Sequence, residues 1–454
     1  MSFDTDRIRS QFPVLERRID GVDGELPLVF MDHGASTHAP QPVLDAVMDL
    51  HTQRYANIHR GNHNLSLESS DLFDGAAETF ANFIGARPGL DAGDDGFVML
   101  GNTTDALSLA AHLMADTPGA TLTTLAEHHS NDLPHRAHGD VLHADVDEQG
   151  RVVMSDFEAK LASNDVKLVA VTGCSNVTGY LPPIHDMARM AHDHGAKILV
   201  DAAQLYAHQK VDVKPRDHPE HIDMLAAAGH KAYAPFGSSF LYAPTELMDA
   251  ATPYMPGGGT VEWVTDQNAW FTHGPDRHMG GTPNITGVVA FAAATQFLAD
   301  IGMEKVRQHE VELTELGLKH FEDLQERHNI ELFGPKTSAE KAGVFSFVVP
   351  DVRHDVVSKV LSTEAGIATR NGCFCAHPLL HKLLGLGDTS YWTEALSRGE
   401  DVELPGATRA TIGIYQQASD IELLAQHLDI IARKAWKGDH GDGAPTVQTT
   451  VEVS

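Results

Sequence analysis

Between Lys167 and Ala203 an apolar strand, an amphipathic helix and a second apolar strand follow one another within about 35 residues, and no other feature restricts the fold as much. KLVAVTG at 167–173 is a short apolar run of strand length. Pro183 then opens a segment with Ile184, Met187, Met190 and Ala191 on one helical face, and Gly195 ends it. Ile198-Leu199-Val200 follows and closes on Asp201. Two strands joined through a helix are parallel, with a right-handed crossover. The chain is therefore expected to be α/β. An earlier stretch repeats the pattern: strand at 97–100, turn at Gly101-Asn102-Thr103-Thr104, helix at 105–114 with Ala106, Leu109, Ala110 and Leu113 on one face. The Gly- and Asp-rich segment 89–96 before it reads as a loop.

After residue 290 the texture changes to longer helices, at 287–301 and 303–327, and then a β-like run from Gly343 to Val349. This predicts a second, smaller α+β domain. The expected division is a large domain over 25–290, a small one made by 1–24 with 291–437, and a loose tail at 438–454.

Composition excludes several function classes. The 33 Lys and Arg face 63 Asp and Glu, for a net charge of −30, a field that repels nucleic acid and anionic lipid. Three cysteines, Cys174, Cys373 and Cys375, are too few and too odd in number for a disulfide framework, which points to a reducing compartment. The first twenty residues hold no apolar core of signal-peptide length, Asp4 or Thr5 can cap an ordinary helix, and no run is long enough to span a bilayer. A cytoplasmic protein with no membrane or nucleic-acid partner is expected.

Ligands of open parallel sheets sit beyond the carboxyl ends of the strands, and three features fall there. Gly101-Asn102-Thr103-Thr104 opens a helix with hydroxyls and free N–H groups, a phosphate site, although Thr103 or Thr104 can equally be a plain helix cap. Asp201 ends a strand, as a surface acid or as a carboxylate that keeps a pyridinium nitrogen protonated. Lys231, in Gly229-His230-Lys231, follows the apolar stretch 222–228, and a lysine in apolar surroundings can lose its proton and form an imine.

Each feature alone has an ordinary explanation, but together their order is informative. FMDHGAST at 30–37, HRGNHNLS at 59–66, NTTDALSL at 102–109, AEHHSN at 126–131, SNVTG at 175–179 and ILVDAAQ at 198–204 recur in one family. So do AGHKAYAP at 228–235, GGTPN at 280–284, ATRNGCFCAHP at 368–378 and TRATIGIY at 408–415. Over about Phe30 to Leu424 the chain resembles the cysteine desulfurases of the sulfur-mobilisation type, within the class V aminotransferases.

The resemblance implies a mostly parallel seven-stranded sheet flanked by helices in the large domain, bound pyridoxal phosphate, a homodimer, and conversion of L-cysteine to L-alanine with the sulfur left as a persulfide. It implies Lys231 as the Schiff-base lysine and proton carrier, His128 stacked on the ring with acid–base duties, Asp201 on the ring nitrogen and Gln204 on the ring hydroxyl. Thr103, Thr104 and His230 would hold the phosphate, with Thr282 supplied by a partner subunit. Arg409, supported by Arg370, would clamp the substrate carboxylate, and Cys375 would take the sulfur and pass it to an acceptor protein.

Three departures stand out. Cys373 replaces the family's His, so that GCFC resembles the desulfurase domain of molybdenum-cofactor sulfurases; it is either a second thiol or a packed residue. Ala228 replaces a phosphate-binding hydroxyl residue, and Arg409 follows Cys375 by 34 positions, a long interval for the family. Cys174 reads as core. An aminotransferase, epimerase or β-lyase, selenocysteine lyase included, is the alternative chemistry. A metal scaffold on Cys373, Cys375, His377 and His381 lacks paired CxxC spacing and a fourth ligand group, so no metal site is expected.

Overall fold

A computed structural model describes residues 3–86 and 95–440. Its centre is a seven-stranded sheet in the order Asp95–Leu100, Ser239–Pro244, Met224–Ala228, Lys197–Asp201, Val166–Thr172, Ala120–Thr124 and Val141–Ala144. Ser239–Pro244 is antiparallel to both of its neighbours, and the remaining pairs are parallel. The expected α/β class with a mostly parallel seven-stranded sheet is what the chain forms. Helices cover both faces, so every residue of Val166–Thr172 and Met224–Ala228 is buried, and apart from Lys167 and Thr172 these strands are apolar instead of alternating.

The two βαβ signals are present with shifted edges. The helix read at 105–114 is Thr103–Leu113, and its cap is Asn102, which accepts the Asp105 N–H at 3.0 Å. Neither Thr103 nor Thr104 is spent as a cap. The loop read at 89–96 is corrected at its end: Asp95 and Gly96 already pair with Pro244 and Ala243 across the sheet edge, while 89–94 lie outside the described residues. Acidic and glycine residues look like loop, but here Asp95 is held by Arg216 and by the Tyr242 hydroxyl.

The later part of the chain forms a four-stranded antiparallel sheet, ordered Glu331–Leu332, Val344–Val348, Ala407–Thr411, Arg370–Gly372. The helices Met303–His328, His354–Ala365 and Ala418–Ala432 pack on it through Phe321, Phe345, Phe347, Val360 and Leu424. The long helices thus begin and end within two residues of the periodicity. Met31 and Asp32 stitch this sheet to the rest: the Thr411 N–H donates to the Met31 carbonyl at 2.7 Å. Asp4 caps the helix Thr5–Arg9. The expected loose tail is corrected at its start, because His440 is buried and contacts Glu364 and Thr363; residues 441–454 lie outside the described residues. Among the described residues no single helix is long and apolar enough to cross a membrane.

Candidate active site

A pocket of about 300 Å³ opens at the carboxyl ends of the parallel strands, between the two sheets. Asp201 closes its strand there, buried, with the Ala203 N–H donating to Oδ1 at 2.9 Å. Burial pushes its carboxyl above the usual range, with Lys231 pulling the other way. A buried carboxylate with one backbone donor is suited to a cationic partner in the pocket.

Lys231 ends the short turn Gly229–Lys231 that follows the strand Met224–Ala228. Burial is the main cause that brings its ammonium down to about 8; Asp201 opposes this and Arg409 adds to it. The turn is held by Thr37, whose backbone N–H and hydroxyl both donate to the His230 carbonyl, at 2.7 and 3.1 Å. A pKa near 8 leaves about a tenth of the amine free at pH 7, far more than an ordinary lysine, which makes Lys231 a nucleophile and a base.

At the other end, Thr103 starts the helix Thr103–Leu113, and its buried hydroxyl has no partner. His230 Nδ1 is likewise buried without one, and burial with the neighbouring Lys231 brings this ring down to about 4. Thr104 Oγ1 lies 2.7 Å from Ser130 Oγ. Unpaired polar atoms around a helix N-terminus fit a phosphate group, whose oxygens would satisfy them. Gln204 gives one N–H to the Gly34 carbonyl at 2.6 Å, which leaves its remaining polar valences for the pocket.

His128 accepts the Ser130 N–H on Nδ1 at 3.1 Å. Burial foremost, then Lys231, His129 and Arg409, lowers it to about 3, so at neutral pH it is an uncharged ring with its proton on Nε2. Beneath it Glu127, raised by burial to about 8, accepts from Thr124 Oγ1 at 2.6 Å and Asn131 Nδ2 at 2.7 Å.

Arg409 enters from the four-stranded sheet, 3% exposed. Nη1 donates to the Asn176 carbonyl at 2.9 Å and Nη2 to Asp32 Oδ1 at 3.4 Å, and the guanidinium stands 4.9 Å from the centre of the Phe374 ring. A Cβ on Gly34 would lie 3.0 Å from the guanidinium, so residue 34 must be small for Arg409 to reach the pocket. Arg370, exposed, pairs with Arg409 across adjacent strands and also lines the pocket.

Cys375 is exposed and lines the same pocket. It and Phe374 both take left-handed backbone angles, φ 54° and 53°, and two contacts hold them so. Asn176 Nδ2 donates to the Phe374 carbonyl at 2.7 Å, and the His129 N–H to the Cys375 carbonyl at 2.8 Å. His129 also stacks on His377, ring centroids 4.8 Å apart, and its Nε2 accepts the His377 N–H. Cys373 points elsewhere: its thiol donates to the Pro405 carbonyl at 3.0 Å, and burial raises it to about 11. Cys174 is buried at the pocket floor and pushed far up by burial.

The structure thus brings Thr103, Thr104, His128, Asp201, Gln204, His230, Lys231, Arg370, Cys375 and Arg409 around one cavity. Thr282 is not among its lining residues and is exposed. Sequence reasoning missed Asp32, Thr37, Glu127, Asn176 and His129 as supports, although all lie in the motifs FMDHGAST, AEHHSN and SNVTG; position in a motif was the available signal.

The family model of the class V aminotransferases matches residues 29–424. A cysteine desulfurase of Haloferax volcanii is 33% identical over 443 residues, covering 94% of this chain and 96% of the relative. Among solved structures, the apo cysteine desulfurase of Thermococcus onnurineus superposes with a TM-score of 0.79 at 28% identity, covering 94% of this chain and 98% of the other. An Escherichia coli cysteine desulfurase carrying an S-sulfonic acid gives 0.77 at 26%, covering 96% and 100%.

Proposed function

The chain belongs to the class V aminotransferase family, and on that footing we propose that it is a pyridoxal-phosphate-dependent cysteine desulfurase, converting L-cysteine to L-alanine and leaving the sulfur as a persulfide on Cys375. The observation that carries the reading is the convergence of a deprotonatable lysine and an exposed loop cysteine on one cavity. An aminotransferase or epimerase needs the first and has no use for the second.

The residues fit the cofactor. Thr103, Thr104 and His230 would hold its phosphate, Asp201 would pair with the ring nitrogen, and Gln204 would hydrogen-bond the ring oxygen. When bound, pyridoxal phosphate supplies an aldehyde for amine condensation and a ring that withdraws electrons from the bonds at the substrate Cα. Arg409 takes the substrate carboxylate, with Asp32 and the Asn176 carbonyl fixing its plane. Lys231 would hold and move the proton at the substrate Cα. His128, uncharged, offers its ring face and an Nε2 proton. The Cys375 thiolate then attacks the substrate sulfur; the C–S bond breaks, the carbon retains the electron pair and is protonated, and alanine leaves.

We assign the sulfur to an acceptor protein reached from the exposed Cys375, in the cytoplasm. The assembly is a homodimer in which Thr282 completes the partner's phosphate site. In support, Asn284 Nδ2 donates to the Gly237 carbonyl, which seats the Thr282 segment beside Phe236, an exposed aromatic stacked obliquely on His230. The same reading divides the chain at 25–290 against 1–24 with 291–437, and the separate seven- and four-stranded sheets support it.

Cys375→Ala tests the reading. It should bind pyridoxal phosphate and change its absorbance with L-cysteine, yet form no alanine and carry no persulfide by mass spectrometry. Near-normal alanine formation would remove Cys375 as the nucleophile and put a β-lyase or aminotransferase in its place.

A further inference from the structure

At the opposite ends of the strands that present Asp201 and Lys231, two histidines converge on one carboxylate. His192 lies in the last turn of the helix Ile184–Asp193, and His221 and Asp223 lead into the strand Met224–Ala228. The two rings stack, centroids 4.1 Å apart and 17° from coplanar. His192 Nε2 stands 2.9 Å from Asp223 Oδ2, and His221 Nε2 stands 3.3 Å from Oδ1.

The other ring nitrogens fix the tautomers. His192 Nδ1 is 2.9 Å from the Pro219 carbonyl oxygen, and His221 Nδ1 is 2.9 Å from that of His218. A carbonyl only accepts, so both Nδ1 atoms carry protons; in the metal-free chain each Nε2 also donates to the Asp223 carboxylate, and it is that Nε2 proton a metal ion would displace. A backbone carbonyl on Nδ1 and a convergent Nε2 is how metal-ligating histidines are oriented.

We propose that His192, His221 and Asp223 bind a divalent transition-metal ion, zinc fitting best, with water completing the coordination. Zinc bonds of about 2.0–2.1 Å at tetrahedral angles separate ligand atoms by roughly 3.3 Å. The three donor atoms here lie within 4.8 Å of one another, and an ion would draw at least one imidazole out of the stack so that both Nε2 atoms face it. Two imidazoles and a carboxylate suit zinc, whereas magnesium and calcium demand oxygen shells.

Asp223 has two further partners. The Ile198 N–H donates to Oδ2 at 2.9 Å and holds the carboxylate in place. Lys197 Nζ sits 3.2 Å from Oδ1 and competes with an ion; its side chain is 34% exposed, so it can turn into solvent. The ion ties the helix end to the loop 218–223 and fixes the starts of two adjacent strands. Their far ends, roughly 17 Å away, carry Asp201 and lead to Lys231. The role is therefore structural, and the site stands apart from the catalytic pocket.

The test uses tag-free holoenzyme, stripped with a chelator, its thiols alkylated so that Cys373 and Cys375 cannot bind metal, and titrated with Zn²⁺ by calorimetry. One zinc per chain is expected. His192→Gln and His221→Gln should each weaken binding at least about tenfold. A hundredfold excess of zinc over its Kd should raise the melting temperature of the parent by on the order of 3 °C and that of each variant by at most about half as much. Lys197→Met should bind zinc more tightly than the parent, a gain that misfolding cannot mimic. Absence of zinc binding at micromolar concentration, or affinity unchanged in both histidine variants, would overturn the proposal.

Discussion

Asn176→Ala separates the positioning of the thiol from everything else in the pocket. The side-chain amide donates to the Phe374 carbonyl, whereas Arg409 uses the backbone carbonyl of the same residue, which alanine keeps. Only the cysteine loop therefore loses a partner. Phe374 and Cys375 sit at φ 53° and 54°, and left-handed angles cost L-residues roughly 1–2 kcal/mol each, so about 2–4 kcal/mol must be offset by the contacts that hold the loop. Leaving the buried Phe374 carbonyl unpaired costs about 1–3 kcal/mol, which lowers the population of the observed loop conformer roughly 5- to 150-fold. Alanine formation from L-cysteine in a single turnover should fall by a factor in that range. The absorbance change on adding L-cysteine, which needs Lys231, Asp201 and Arg409 but no thiol, should survive. Rates within twofold of the parent would show that the left-handed pair does not depend on Asn176. Loss of the cofactor would show that Asn176 supports the ring pocket instead.

The proton on Lys231 gives a second expectation. Its pKa is lowered from the ordinary lysine value to about 8, so the folded apo chain holds fewer protons than the unfolded chain between pH 8 and 10.5. The depressed pKa therefore penalises folding at low pH, and stability contributed by this residue rises with pH across that window. Uptake of pyridoxal phosphate by apoenzyme, which needs the free amine, should rise with pH to a half-maximum near 8; a midpoint near 10.5 would refute the buried-lysine geometry. For the assembly, mixing Lys231→Ala with Thr282→Ala subunits should restore part of the lost activity, because one site of each mixed dimer has both residues. A fully active monomer by light scattering would remove the shared site.

The strand-end groups of the pocket were legible because each follows an apolar run that no solvent-exposed segment would carry. Asp201 after Ile198-Leu199-Val200 and Lys231 after 222–228 are such cases. The long-range supports were not legible. Asp32 and Asn176 meet Arg409 across 377 and 233 positions, and no local period encodes such a meeting. The beginning of the first sheet strand was hidden because Asp95 and Gly96 are poor strand formers, kept in the sheet by partners far along the chain. The His192–His221–Asp223 group escaped for a similar reason: its members have unrelated spacing until the helix end and the loop come together.

Lys231 is mounted on the seven-stranded sheet, while Cys375 and Arg409 are mounted on or beside the four-stranded one. In the proposed reaction, the gap that sulfur would cross is therefore not a property of either residue but a tolerance accumulated over every contact that seats one sheet against the other. Met31, Asp32 and Gly34 lie along that joint. Substitutions there, or on the helices behind them, will retune the reach of the thiol as shims retune a machine, with the reacting groups themselves left untouched. A directed search for faster or slower sulfur release should begin at this joint before it turns to the catalytic groups.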